Sequence, residues 1–255
     1  MQKLSIGIPC YGAQEAKWWS HLVRYVAKLG KSVDLVDILV ADSMATDHNR
    51  NLIVENFLKT DSEWLFWIDA DTIVPIGSVE RLLATGKKFI SGLYYAKHPP
   101  HNPIAYYKAG ENYMPINGEG RVWERGEILE VESVGFGCML THKSIFEDIK
   151  KNFIPKQIAG GGLTLVHKDD VSEAIPNLTQ KLHGDMLVQQ VSDPQEVFNY
   201  KFPYFALEFG RTEDIWFTEK AKRVGYQVYL DTSIECGHLY PREFTGKDYR
   251  ELYGY

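Results

Sequence analysis

The sequence predicts an α/β fold: a central, mostly parallel sheet flanked by helices, followed by a region of shorter, mixed strands. Three observations predict it. Over residues 1–95 short apolar runs alternate with amphipathic stretches, the pattern of strand–helix–strand units that build parallel sheets. Trp64 to Ile68 is a run of five large apolar residues, the length and composition of a strand buried on both faces. From Ala96 onward Pro99, Pro100, Pro103 and Pro115 break the periodicity, so only short strands and loops fit.

Taken in order, Leu4 to Pro9 is the first strand, and Pro9-Cys10-Tyr11 turns the chain into a helix. Trp18, Leu22, Tyr25, Val26 and Leu29 form one face of that helix, with Gly30 expected as its C-terminal cap. A strand, tight turn and helix in this order is how a nucleotide-binding α/β half begins. Val33 to Val40 is the second strand, ending in Ala41-Asp42-Ser43. The next helix, from about Ala45 to Leu58, turns Leu52, Ile53 and Phe57 inward and carries Arg50 and Asn51 in its early turns. The Trp64–Ile68 strand follows, and Pro75 closes its segment. Gly77 to Ala84 is a short helix and Lys87 to Tyr95 a strand.

Beyond residue 95, Ile104 to Lys108 and Arg121 to Glu124 are expected as short strands. Leu129 to Leu140 begins with the alternation of a half-buried strand, in which Gly135-Phe136-Gly137 allows a bulge or close backbone approach. Thr141 is expected to start a helix with Ile145, Phe146 and Ile149 inward. Residues 155–203, with Gly160-Gly161-Gly162, read as a long mobile loop ordered in part only with ligand. Thr212 opens a last helix that Gly225 stops, and a strand over Gln227 to Leu230 precedes Gly237-His238-Leu239.

Composition narrows the function. The 255 residues hold 28 Lys and Arg against 34 Asp and Glu, a formal net charge of -6, which argues against a generally basic nucleic-acid surface. Lys97, His98, His101 and Lys108 form one small basic patch that suits an anionic acceptor if they are more than exposed loop residues. Three cysteines far apart indicate neither a disulfide framework nor a zinc ribbon, so a reducing, cytoplasmic setting is expected. No signal peptide is evident, and no apolar run approaches the roughly 20 residues of a membrane span.

The chemistry concentrates at two places. Asp69 and Asp71, with only Ala70 between them, follow the buried strand directly. Two acids at such a strand end are costly unless their charge is compensated, and a divalent cation carrying a diphosphate would do so. Glu213 and Asp214 open the last helix, where they suit the helix dipole and could equally serve as acid–base groups.

Trp-Leu-Phe-Trp-Ile-Asp-Ala-Asp resembles the Asp-x-Asp strand of GT-A fold glycosyltransferases, especially the family-two-like group of nucleotide-sugar enzymes. The Glu213-Asp214 pair, its following Lys-Arg and Gly-Tyr, and His238 match that family's motifs in order. The resemblance implies a Rossmann-like sheet in a single catalytic domain over residues 1–255. Residues 1–95 would bind the nucleotide-sugar, and residues 96–255 would form the acceptor half with its mixed β region.

It further implies that Pro9, Cys10 and Tyr11 lie along the base and ribose. Asp42 and Arg50 would contact the base, ribose or diphosphate, and Asp69, Ala70 and Asp71 would hold the diphospho-sugar. Asp69, Asp71 and His238 would bind Mn2+ or Mg2+, and Gly135, Phe136 and Gly137 would line the acceptor and sugar pocket. Asp214, with Glu213 second, would be the general base of an inverting transfer; in a retaining one Asp214 would position the acceptor or stabilise the sugar cation. No Gln-x-x-Arg-Trp follows the Glu-Asp pair, which argues against a processive polysaccharide synthase.

The expected activity is therefore metal-dependent transfer of a sugar from a nucleoside diphosphate to an acceptor hydroxyl. The acceptor is left open among glycan, lipid carrier, protein, small molecule and nucleic-acid base. A nucleotidyltransferase of related fold is the alternative enzyme, but Pro9 to Lys17 lacks its glycine-rich basic phosphate loop. A non-catalytic nucleotide-sugar-binding module is the third reading, and the two acidic motifs together argue against it.

Overall fold

The computed structural model describes residues 1–12, 14–43, 45–116, 123–157, 163–171, 189–190, 202–207 and 211–240. The chain runs β1 (Gln2–Cys10), α1 (Ala16–Ala27), β2 (Val33–Asp42), α2 (Thr46–Phe57), β3 (Trp64–Ile68), β4 (Thr72–Ile73), α3 (Ser78–Ala84) and β5 (Phe89–Leu93). It continues through β6 (Ala105–Ala109), β7 (Asn112–Pro115), β8 (Ile128–Val131), β9 (Ser133–Val134), β10 (Cys138–His142), α4 (Lys143–Asn152), β11 (Phe153–Gln157) and β12 (Leu163–His167). A short α5 (Lys168–Val171), β13 (Gln189–Gln190), α6 (Glu213–Arg223), β14 (Val228–Glu235) and β15 (Gly237–His238) complete the described elements.

Seven strands form the main sheet in the order β2-β1-β3-β10-β5-β14-β8. β2, β1, β3, β5 and β14 run one way; β10 and β8 run against them. The sheet is thus mostly parallel, as the sequence predicts, and strands from both sides of residue 95 share it.

β3 sits near its middle, and its side chains alternate between two cores, as the two-residue period of a strand requires. Leu65 and Trp67 enter one core with Ile53, Phe57, Phe146 and Phe217. Trp64, Phe66 and Ile68 enter the other with Trp18, Tyr25, Val79 and Leu82. Helices α2, α4 and α6 therefore cover one face and α1 and α3 the other. Among the described residues no helix is long and apolar enough to cross a membrane.

Several expected boundaries move. Helix α1 ends at Ala27 with Lys28 as its cap, not at Gly30; the Gly30 N–H instead donates to Glu80 Oε1 at 2.6 Å, tying the loop to α3. The alternation from Leu129 breaks into three strands serving two sheets. β8 pairs with β14, β9 with β6, and β10 crosses to lie between β3 and β5.

Helix α4 starts after Thr141 because Thr141 stays in β10, where its hydroxyl donates to the Leu65 carbonyl at 3.2 Å and accepts from the Trp67 indole at 3.1 Å. His142 caps the helix instead, accepting from the Ser144 N–H at 3.2 Å. The last strand is longer than expected, reaching Glu235. Helix α6 matches its expected start, with Thr212 as cap, and Gly225 follows it at φ 93°, a left-handed turn that favours glycine.

The expected loop over 155–203 contains structure. β11 pairs with β12 and with β13 in a three-stranded sheet. Among the described residues Pro155 pairs only with Leu165, and β13 pairs with Lys156 and Gln157 instead. The mobility expected there falls on residues 158–162, 172–188 and 191–201, which lie outside the described residues. Arg121 and Val122 of the expected short strand also lie outside them, while Trp123 and Glu124 are not in a strand.

Candidate active site

The carboxyl ends of β1 and β3, the turn into α1, Lys97 and Leu239, which follows β15, surround one cleft of about 330 Å³. Pro9, Cys10, Tyr11, Asp69, Ala70 and Asp71 line it, so the first-strand turn and the Asp-x-Asp meet in one place. Asp42 is solvent-exposed and Arg50 fully buried, and neither lines this cleft. Asn49, not anticipated from the sequence, does line it and donates to the Cys10 carbonyl at 2.7 Å. The signal was present: Asn49-Arg50-Asn51 interrupts the apolar face of α2, and all three are buried.

The two acids of the Asp-x-Asp face different partners. Asp69 is anchored by its backbone, its N–H donating to the Gly137 carbonyl at 3.3 Å and its carbonyl accepting from the Trp18 indole at 3.1 Å. Its carboxylate turns to Arg50, 3.1 Å from the guanidinium.

Asp71 faces Lys97 Nζ at 2.5 Å and His238 Nε2 at 3.5 Å. β15 delivers His238 by pairing with β4, and the Leu239 N–H donates to the Asp71 carbonyl at 2.7 Å. Burial works to raise the Asp71 carboxyl, but hydrogen bonds from His238 and Lys97 overcome it and hold it at about 2.

Arg50 is the hub of the second acidic pair. It is 1% exposed and lies 3.5 Å from both Glu213 Oε1 and Asp214 Oδ1, besides its contact with Asp69. The rings of Trp67, Phe136 and Phe205 surround it at 5.3–5.9 Å. One guanidinium thus gathers three carboxylates in an aromatic box, which suits its planar fork and weak hydration.

Burial pushes the Asp69 carboxyl up against the pull of Arg50. Burial, then Glu213, push Asp214 well above the ordinary carboxylate range, again against Arg50. Asp214 Oδ2 also accepts the Phe136 N–H at 3.3 Å. Asp69, Arg50, Glu213, Asp214 and Phe136 therefore form one cluster at the end of β3.

Gly135 and Gly137 allow this because backbone must pass tightly over Tyr94. A Cβ at Gly135 would sit 1.9 Å from the Tyr94 hydroxyl oxygen and 2.8 Å from Ile104, and the Gly137 N–H donates to that hydroxyl at 3.1 Å. Gly135→Ala should destabilise the protein by ~1–3 kcal/mol through overpacking, read as a lower urea midpoint with unchanged slope.

His238 donates through Nδ1 to the Tyr95 carbonyl at 2.8 Å, since a carbonyl can only accept. That leaves Nε2 toward Asp71, presenting a lone pair to a cation or, when protonated, a second N–H to the carboxylate. Asp71 and His238 thus supply the oxygen and nitrogen donors that a divalent cation takes. Asp69 faces Arg50 instead, and among the described residues no group of three or more His, Cys, Asp and Glu is gathered as a ready metal site.

No protein-family model matches the sequence, and no curated protein matches it. Solved structures do. A197 from STIV aligns over 94% of this chain and 87% of its own at 18% identity, with a TM-score of 0.52. GalNAc-T7, solved with UDP, GalNAc and Mn2+, aligns over 94% of this chain at 9% identity and a TM-score of 0.53; this chain spans 44% of its length. At these identities the likeness concerns the fold, which is the GT-A fold of glycosyltransferases.

Proposed function

We propose that this protein transfers a sugar from a nucleoside diphosphate donor to an acceptor hydroxyl. The observation that carries the reading is the meeting of Asp69 and the Glu213-Asp214 pair on the buried Arg50, next to a cleft that Asp69 and Asp71 line. Asp69 and Glu213 lie 144 residues apart in the chain and meet at one buried guanidinium, as a site joining a donor side to an acceptor side would need. GalNAc-T7, the GT-A structure solved with UDP, GalNAc and Mn2+, supports the donor class.

In this reading Pro9, Cys10 and Tyr11 take the base and ribose, and the Asp69-Ala70-Asp71 turn takes the diphospho-sugar. Asp71 and His238 would hold Mn2+ or Mg2+, which when bound neutralises charge developing on the leaving diphosphate. Arg50 ties Asp69 to Glu213 and Asp214, fixing the donor-side acids against the acceptor-side ones.

Asp214 takes the proton of the acceptor hydroxyl as its oxygen bonds the anomeric carbon and the bond from that carbon to the diphosphate breaks. Glu213 raises the basicity of Asp214, and the buried Gly135-Phe136-Gly137 segment, which does not line the cleft, holds Asp214 through the Phe136 N–H. Burial of the cluster excludes water that would compete as acceptor.

A thermal-shift screen of nucleoside diphosphate sugars with and without Mn2+ tests this. One donor should stabilise the wild type in a Mn2+-dependent way, by RT ln(1 + [L]/Kd), and Asp71→Ala should abolish that shift. Equal donor binding by Asp71→Ala would sink the cation assignment.

A further inference from the structure

A second cavity, of about 540 Å³, opens across Lys97 and Leu239 from the donor cleft. Lys17, Lys97, His101 and His238 line it together with Tyr95 and Tyr240, and its described lining contains no carboxylate. In a chain whose formal charge is -6, this wall gathers two lysines and two histidines, with Asp71 set against the Lys97 and His238 side of it.

The groups are placed rather than scattered. Lys97 and His238 are fixed by Asp71, on the rim toward the cleft. Lys17 stands exposed on α1 and makes no ion pair among the described residues. His101 adopts φ 57°, a left-handed conformation uncommon for a residue with a side chain. Its Nδ1–H donates to the Ala96 carbonyl at 2.8 Å, so Nε2 is the ring nitrogen left for a ligand. Tyr240 is braced edge-on by His98, with ring centroids 5.1 Å apart. Neither Asp69 nor the Pro9–Tyr11 turn, which carry the donor reading, lines this space.

We propose that this cavity is a phosphate subsite for the acceptor, holding a phosphate ester on the acceptor while the donor occupies the neighbouring cleft. The assignment rests on the sugar-transfer reading above and adds a substrate class to it: the acceptor is an anionic, phosphate-bearing molecule. Lys17 and Lys97, the latter beyond its contact with Asp71, supply charge-assisted hydrogen bonds for phosphate oxygens, His101 adds one through Nε2 when its ring is protonated, and the two tyrosines give the remainder of the acceptor apolar surface.

Isothermal titration of the full chain with glycerol 3-phosphate, with glycerol as the uncharged control, tests it. Glycerol 3-phosphate should bind saturably and weaken with added salt, and glycerol should give no saturable heat. Lys17→Glu, a change at an exposed position, should weaken binding at least about tenfold, the weight of reversing one charge at contact distance in water. His101→Ala should weaken it in the same direction.

Repeating the titration with saturating UDP and Mn2+ separates the two sources of phosphate. Unchanged affinity supports an acceptor subsite, whereas displacement by UDP assigns the basic groups to the donor diphosphate and overturns the proposal. Binding that is absent, or equal in Lys17→Glu, also overturns it. The UDP titration is recorded on its own, so failure of the donor cleft is told apart from failure of the subsite.

Discussion

Arg50→Ala should cost about 3–5 kcal/mol, the range for removing one partner of a buried ion pair. In a chain of this size that is a fall in melting temperature on the order of 10 °C. The residue is 1% exposed and faces Asp69, Glu213 and Asp214, so its loss leaves carboxylates buried with no counter-charge. Lysine should not substitute well, because a single ammonium cannot present the fork that meets three acids and stacks among three rings.

The lost packing is separable from the lost charge. Adding Asp69→Asn, Glu213→Gln and Asp214→Asn to Arg50→Met should recover much of the stability, because the cation and the three acids it compensates then leave together. If Arg50→Met alone is as stable as wild type, the hub described here does not hold the site together.

In the proposed reading, Asp214→Asn should lower the rate of nucleoside diphosphate release from the donor by ~10²–10⁴-fold, the usual worth of a positioned general base. Donor-induced thermal stabilisation should be unchanged, because the amide oxygen can still accept the Phe136 N–H. The wild-type rate should rise with pH along a limb well above the ordinary carboxyl value of 3.8, and that limb should vanish in Asp214→Asn. A variant with wild-type rate and pH profile would remove Asp214 from the chemistry.

The same group sets an opposite trend in stability. Its folded-state pKa is raised, so its contribution is complete below the unfolded value and is lost as pH rises through the folded one. Asp71 runs the other way. Held at about 2, it contributes stability above its unfolded value that is lost as pH falls toward 2. In the proposed reading, raising the pH therefore frees Asp214 to act as a base while withdrawing part of what its buried proton contributes to folding.

The central strand and its acids were legible because they are local. A five-residue apolar run, two aspartates and a proline carry the strand, its end and its charge within a dozen residues. The opening of α6 at Thr212 was legible for the same reason, since a cap and first-turn acids are near neighbours. What Arg50 does was not, because its partner Glu213 lies 163 positions away and no local pattern reports such a pairing. Lys97 was read only as part of a loop patch, since its contact with Asp71 depends on where the chain returns after β5.

The strand breaks around Gly135 were hidden by an alternation that continues in sequence while the backbone changes sheets. β11 was hidden by Pro155 and the nearby glycines, whose loop signals outweigh a short apolar run.

The pairing of β15 with β4 has a consequence for biosynthesis. His238 and the Leu239 N–H reach Asp71 from about 167 positions later, and Phe205 reaches Asn51 from 154 positions later. A nascent chain that has emerged only through β10 holds β1, β2, β3 and β5 but not the imidazole beside Asp71, and its Arg50 lacks both Glu213 and Asp214. Such an intermediate has the acids of β3 without the partners that restrain them. A ribosome-stalled series should therefore acquire affinity for the nucleoside diphosphate donor of the proposed reaction abruptly, when β15 clears the exit, and not gradually with each added strand.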